Sequence, residues 1–262
     1  MKNLVSIVIV THAHRQHVDA CLRSVYAQRS TKIETLIVDN ASQDGTVPFI
    51  RRRFPQVKLI EQTVRRGFAA NVNTGIMHSR GKHILVLNPD TVMRLGAMSA
   101  MLRRLESKPN IGICGPMLLN PDGTTQLSFR NFPTWKSGIV RRTPLRVFLK
   151  NSQVNANHLN AHKNHAVAQP VDWMLGACLM IRRELLDAIG LFDERYPLYV
   201  EDIDLCLRAH LAGWEVWYEP AATVVHHHMA KSDASLVSVY SYYHTVGMLR
   251  FMKKFWLQQA RP

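Results

Sequence analysis

Leu4-Val5-Ser6-Ile7-Val8-Ile9-Val10 decides the fold class. The run is almost wholly apolar and rich in β-branched residues, as a strand buried on both faces of a parallel sheet requires. Working outward, residues 17–28 place Val18, Cys21, Leu22 and Val25 at helical spacing. Glu34-Thr35-Leu36-Ile37-Val38 is a second strand, ending in Asp39-Asn40-Ala41-Ser42-Gln43-Asp44-Gly45. A short helix follows, then a third strand, Val57-Lys58-Leu59-Ile60, and a loop running into a helix over residues 67–79. His83-Ile84-Leu85-Val86-Leu87 is a fourth strand and stops at Asn88-Pro89-Asp90. Strands separated by helix-length segments make right-handed βαβ units and an α/β fold with a mostly parallel sheet flanked by helices. Such sheets bind ligands at the carboxyl ends of their strands, so Thr11, Asp39 and Asp90 should converge on one crevice.

Between about residues 120 and 170 this pattern dissolves into turns, cations and Asn/His-rich sequence, and it resumes at Val171. A connection of that length is expected mainly as a functional loop. The chain therefore reads as one domain of 1–262: residues 1–119 bind one ligand, 120–170 are a basic variable region, 171–230 form a smaller second half, and 231–262 are a basic amphipathic tail.

Thirty-three Lys and Arg stand against nineteen Asp and Glu, a formal charge of +14. That excess suits phosphate-rich partners: nucleic acid, a nucleotide or an anionic membrane face. No acid lies between Asp122 and Asp172, where Arg130, Lys136, Arg141, Arg142, Arg146, Lys150 and Lys163 fall. Arg250, Lys253, Lys254 and Arg261 surround Phe251, Phe255 and Trp256 near the end. Basic stretches interleaved with apolar residues suit peripheral contact with an anionic membrane surface. There is no signal-peptide pattern, no run of about 18 apolar residues, and four scattered cysteines, Cys21, Cys114, Cys178 and Cys206. These point to a cytoplasmic chain, at most peripheral on the inner face of the membrane.

Neither G-x-G-x-x-G nor a P-loop follows the first strand, against a dehydrogenase or an NTPase. Acids take their place. Asp39 could accept hydrogen bonds from a base or ribose, or cap a turn together with Ser42. Asp90 could grip a divalent cation or cap the next helix. Glu201, Asp202 and Asp204 crowd the first turn of a helix after the aromatic-rich Phe192-Asp193-Glu194-Arg195-Tyr196-Pro197-Leu198-Tyr199. Helix N-termini favour carboxylates, yet three acids there also suit general-base work on a hydroxyl. His158, His162 and His165 lack a nearby acid or cysteine, which weighs against zinc. Trp173 reads as core, with stacking on a sugar as its alternative.

In their order, Ile7-Val8-Ile9-Val10-Thr11-His12, the Asp39 to Gly45 loop, Gly67-Phe68-Ala69-Ala70-Asn71-Val72-Asn73-Thr74-Gly75, Leu87-Asn88-Pro89-Asp90 and the block from Gly190 to Arg208 resemble one family. It is the inverting GT-A glycosyltransferases of family 2, especially their rhamnosyltransferase-like branch. The resemblance covers residues 4–228 and implies a GT-A fold: a Rossmann-like sheet, a smaller acceptor-side half and C-terminal helices. It further implies that Thr11, Asp39 and Asn73 line the nucleotide pocket. Asp90 matches the last acid of the family's D-x-D motif, holding Mg2+ or Mn2+ on the donor diphosphate, with Asn88 where a first acid might stand. Asp202 matches the catalytic base, with Glu201 beside it. His226 matches a histidine that contacts metal or pyrophosphate, although the run His226-His227-His228 leaves the choice ambiguous.

The implied reaction moves a sugar, rhamnose from dTDP-rhamnose as the first guess, from a nucleotide diphosphate donor to a lipid-linked or cell-surface saccharide. Another hexose or an N-acetylhexosamine is the alternative within the family. A basic nucleic-acid-binding protein would leave Asp39, Asp90 and Asp202 unexplained. A nucleotidyltransferase would need a glycine-rich basic loop where Thr11-His12-Ala13-His14 stands.

Overall fold

The computed structural model describes residues 4–28, 32–133, 153–227 and 239–259. One sheet runs through both halves of the chain. β1 (Leu4–Thr11) is flanked by β2 (Lys32–Asn40) and β4 (His83–Leu87), and β3 (Lys58–Gln62) lies outside β2. These four strands are parallel. Their connections carry α1 (Val18–Tyr26), α2 (Thr46–Arg53) and α3 (Phe68–Met77). β1 is buried from Val5 to Thr11, so its unbroken apolar run is what a strand with helices on both faces needs.

Past β4 the sheet becomes mixed. β5 (Thr91–Met93) and α4 (Ala97–Ser107) precede β6 (Ile111–Leu119), and β7 (Thr125–Gln126) folds back on β6. β8 (Phe129–Arg130) and β10 (Trp173–Met174) form a small separate ladder. After α5 (Gln153–His158) and β9 (Gln169–Pro170), β11 (Cys178–Arg182) inserts antiparallel between β4 and β6. Next come α6 (Arg183–Ile189), α7 (Glu201–Leu211), the long β12 (Glu215–His226) and α8 (Val239–Gln259). The main order is β3-β2-β1-β4-β11-β6-β12-β5; the all-parallel arrangement read from the first 90 residues holds for β1 to β4, and β6 and β12 pair parallel again within the mixed part.

Two apolar clusters sandwich the sheet. One gathers Val5, Ile7 and Ile9 with α1 and α4; the other gathers Val8 and Val10 with α3, α7 and α8. Met248, Phe251 and Phe255 of α8 belong to the second cluster and are buried. Part of the apolar side of the tail is thus taken up by the fold. Leu249 and Tyr242 stay exposed. The basic segment from Lys136 to Lys150 and residue His228 lie outside the described residues. Among those described, no helix is long and apolar enough to cross a membrane.

Candidate active site

The loops leaving β1 and β2 are stitched together. Thr11 pairs with Asp39 across the ladder, and its hydroxyl donates to Asp39 Oδ1 at 2.8 Å. The other oxygen accepts the Ser42 N–H at 2.9 Å. The Ala13 N–H reaches Ser42 Oγ, and the Arg15 N–H reaches Asp44. Asp39 is only 2 % exposed. The turn-forming role weighed for it is therefore realised, and a nucleotide would meet the half-exposed rim, His12 and Ser42, around it.

Asn73 lies one helix away and is spent differently from the expectation. Its amide donates to the Phe192 carbonyl (2.8 Å) and to Glu194 Oε1 (2.9 Å), while its oxygen accepts the Phe192 N–H (3.0 Å). Gly67 serves the same end: a Cβ there would stand 3.0 Å from Pro197 Cα, and the Phe68 N–H donates to the Pro197 carbonyl. The glycine-to-asparagine motif thus clamps the segment leading to α7.

Asp90 and His226 come together from distant parts of the chain. β12 pairs with β5 so that His226 lies opposite Thr91, and His226 Nε2 stands 3.6 Å from Asp90 Oδ1. His227, one residue on, turns toward the ring of His17 at 5.7 Å. Gln126 orients the His226 ring. The Gln126 amide nitrogen donates to the His226 carbonyl (2.8 Å) and to Asn120 Oδ1 (2.8 Å), so its oxygen must accept from Nδ1–H of His226 (3.0 Å). That aims Nε2 at Asp90. Asp90 Oδ1 is buried without a hydrogen-bond donor. A buried carboxylate oxygen beside an imidazole nitrogen is a donor set that fits a divalent cation. Among the described residues no group of three or more such side chains gathers. Phosphate oxygens and water would then complete the coordination, the usual arrangement for Mg2+.

Across the turn at residues 175–177 stands the carboxylate pair. Ala177 accepts the Asn88 N–H at 2.9 Å, on the Asp90 side, while the Gly176 N–H donates to Asp202 Oδ2 at 2.9 Å. Asp202 Oδ1 accepts the Ile203 N–H, also at 2.9 Å. Glu201 is 6 % exposed, and its Oε2 has no hydrogen-bond partner. Burial raises the Asp202 carboxyl above the usual range, against the pull of both N–H groups and the charge of Arg130. Burial and then the Asp202 charge push Glu201 well above it. The proton of the pair thus belongs on Glu201, and Asp202 is the member that ionises first.

Other expectations meet plain outcomes. Trp173 is 3 % exposed and donates its indole N–H to the Asn131 carbonyl, so it is core and offers no stacking face. His165 packs on Phe129 at 4.4 Å. Sequence reasoning missed Gln126, which has no motif, and Arg130, hidden among many cations although its charge acts on Asp202.

The profile of "Glycosyl transferase family 2" matches residues 6–190. An N-acetylglucosaminyl-diphospho-decaprenol L-rhamnosyltransferase of Mycobacterium tuberculosis is 30% identical over 238 residues, covering 87% of this chain and 77% of the relative. Rhamnosyltransferase WbbL of Escherichia coli is 27% identical over 242 residues, covering 87% and 86%. Among solved structures, a mannosyltransferase from Pyrobaculum calidifontis in complex with GDP-Man and Mn2+ superposes with a TM-score of 0.61 at 19% identity, over 88% of this chain and 59% of that one. GalNAc-T7 with UDP, GalNAc and Mn2+ gives 0.71 at 16%, over 97% and 48%. This chain thus spans about half to three-fifths of those solved chains, and their likeness speaks to fold alone. Strand ends bearing Thr11, Asp39 and Asp90, a profile covering most of the chain and a 30% identical relative agree: this chain belongs to glycosyl transferase family 2 and is a glycosyltransferase.

Proposed function

We propose that the enzyme transfers rhamnose from dTDP-rhamnose to a hydroxyl of a lipid-linked saccharide, inverting the anomeric centre. The observation that carries the chemistry is the divided carboxylate pair. Asp202 is held by two N–H donors across the turn from Asp90 and His226, while Glu201 keeps the proton. The choice of sugar and acceptor rests on the two rhamnosyltransferases above, one of them named for a diphospho-decaprenol substrate.

Thr11 and Asp39 shape the floor on which the nucleoside end rests. Asp90 and His226 would hold the cation, which when bound neutralises negative charge growing on the departing diphosphate. Asp202 accepts the proton of the acceptor hydroxyl as that oxygen bonds to the anomeric carbon. The carbon–oxygen bond to phosphate breaks, and its electron pair leaves on the nucleoside diphosphate. One displacement from the opposite face inverts the centre, and the proton is left on Asp202. With so high a net charge, peripheral contact with an anionic membrane is part of the reading. Flotation with anionic but not zwitterionic vesicles tests it.

The deciding experiment incubates the protein with a panel of nucleotide sugars and Mn2+ or Mg2+. Thermal shift is followed, then transfer to N-acetylglucosaminyl-diphospho-polyprenol by mass spectrometry. A selective shift and product with dTDP-rhamnose supports the reading; another sugar redirects the donor. Stabilisation by short DNA and by no nucleotide sugar defeats it.

A further inference from the structure

The backbone just before the catalytic pair is strained. Tyr199 (φ 66°) and Val200 (φ 72°) are consecutive non-glycine residues in the left-handed region. For a β-branched valine that conformation persists only where the surroundings over-determine it. α8 supplies much of that constraint. Val200, Tyr196 and Ile203 share one apolar cluster with Met248, Phe251 and Phe255. Gly247 lets the helix close in: a Cβ there would stand 3.0 Å from Val200 Cγ2. A glycine inside a helix costs stability relative to alanine, and here it permits this approach.

Charge completes the clamp. Lys254 Nζ lies 2.5 Å from Asp204 Oδ1 and 2.8 Å from Asp193 Oδ2. Asp204 is fully buried two residues beyond Asp202, and it also binds Arg208 at 2.7 Å and the Tyr196 hydroxyl at 3.2 Å. Asp193 adjoins Phe192, which Asn73 grips from α3. Arg250 donates to the Arg195 carbonyl. One lysine therefore joins the segment before the strained turn to the helix after it.

We propose that α8 braces the catalytic carboxylate, with Lys254 a positioning residue that sets Asp202 and Gly247 the close contact that holds its turn. The proposal rests on reading Asp202 as the base. Without Lys254 the 190–200 segment and α7 can shift relative to one another, and Asp202 loses its aim at the acceptor hydroxyl. The donor floor on β1 and β2 is untouched.

The test uses the full chain with dTDP-rhamnose, Mn2+ and N-acetylglucosaminyl-diphospho-polyprenol. Lys254→Met should lower kcat about 10- to 100-fold, the scale set by small misplacements of catalytic groups, and leave the Kd of dTDP-rhamnose within about twofold. Lys254→Arg should recover most of the rate. Gly247→Ala should also lower kcat, yet keep or raise Tm, because alanine improves the helix while its methyl presses on Val200. A merely structural role would move Tm and kcat together. Wild-type kcat in both Lys254→Met and Gly247→Ala overturns the proposal, as does loss of donor binding in proportion to rate. If Lys254→Met does not fold, Gly247→Ala decides. When Asp202→Asn abolishes transfer and these variants do not slow it, the brace falls and the base stands. Transfer surviving in Asp202→Asn, or no turnover with this substrate pair, removes both.

Discussion

Asp202 and Glu201 are neighbours of opposite expected behaviour, and replacing each by its amide separates them. Asp202 accepts the N–H groups of Gly176 and Ile203, both at 2.9 Å, whereas Glu201 Oε2 is buried without a partner. Hydrogen bonds to a charged acceptor favour the charged form, so these two favour ionised Asp202, while burial without a donor leaves the proton on Glu201. Asp202→Asn removes the proposed base and should cost about 10²- to 10⁴-fold in kcat while donor binding persists. It also turns an N–H acceptor into an NH2 group, costing about 1–3 kcal/mol of stability. Glu201→Gln swaps a protonated acid for a neutral isostere and should keep kcat within about tenfold.

The pH profile carries the sharper reading. Stability is not at issue here; the rate needs ionised Asp202, so kcat/KM rises with pH through a value above the usual carboxylate range. Because Glu201 is already neutral there, Glu201→Gln should leave that limb where it was. The assay is kcat/KM against pH for wild type and both amides, with circular dichroism confirming the fold. A limb that moves to lower pH in Glu201→Gln shows that Glu201 was charged and would falsify the assignment. Equal loss of rate in both amides refutes it too.

Three further outcomes follow from the same geometry. His83 is fully buried with neither ring nitrogen bonded, and burial, then Arg182 and Lys82, depress its pKa to about 4. Unfolded histidine titrates near 6.5, so the unfolded chain binds the extra proton, and stability falls by up to about 3 kcal/mol as pH drops from about 6.5 to 4. Urea melts of wild type and His83→Leu should diverge over that window; parallel curves reject the claim. Gln126→Leu removes the group that orients His226 and should weaken Mn2+ activation about 10- to 100-fold, read as the metal concentration for half-maximal rate. Gly67→Ala pushes a methyl against the Pro197 backbone, which should cost about 1–3 kcal/mol in a denaturant melt and slow transfer.

The parallel half of the sheet was legible because its signals are local. Apolar β-branched runs alternate with helical spacing, and βαβ handedness then forces Thr11, Asp39 and Asp90 to one edge. β11 carries a strand pattern too, but nothing local says that it slides antiparallel between β4 and β6. That placement positions the turn whose Gly176 N–H holds Asp202. Asn73 has the right motif, and only the fold shows its amide clasping Phe192. A basic apolar tail suits a membrane as well as it suits a protein core, since both reward buried apolar area; only the fold shows Met248, Phe251 and Phe255 packed with Val200 and Tyr196.

What the sequence by itself determined is the alternation of strands and helices, and with it the row of polar strand ends, because periodicity and burial act between near neighbours. Only the tertiary structure decided that His226 stands beside Asp90, which carboxylate of the pair ionises first, and what holds it in place. Those depend on strand register, on buried donors and on a lysine some fifty residues away, and such non-local pairings leave no periodic trace in the chain.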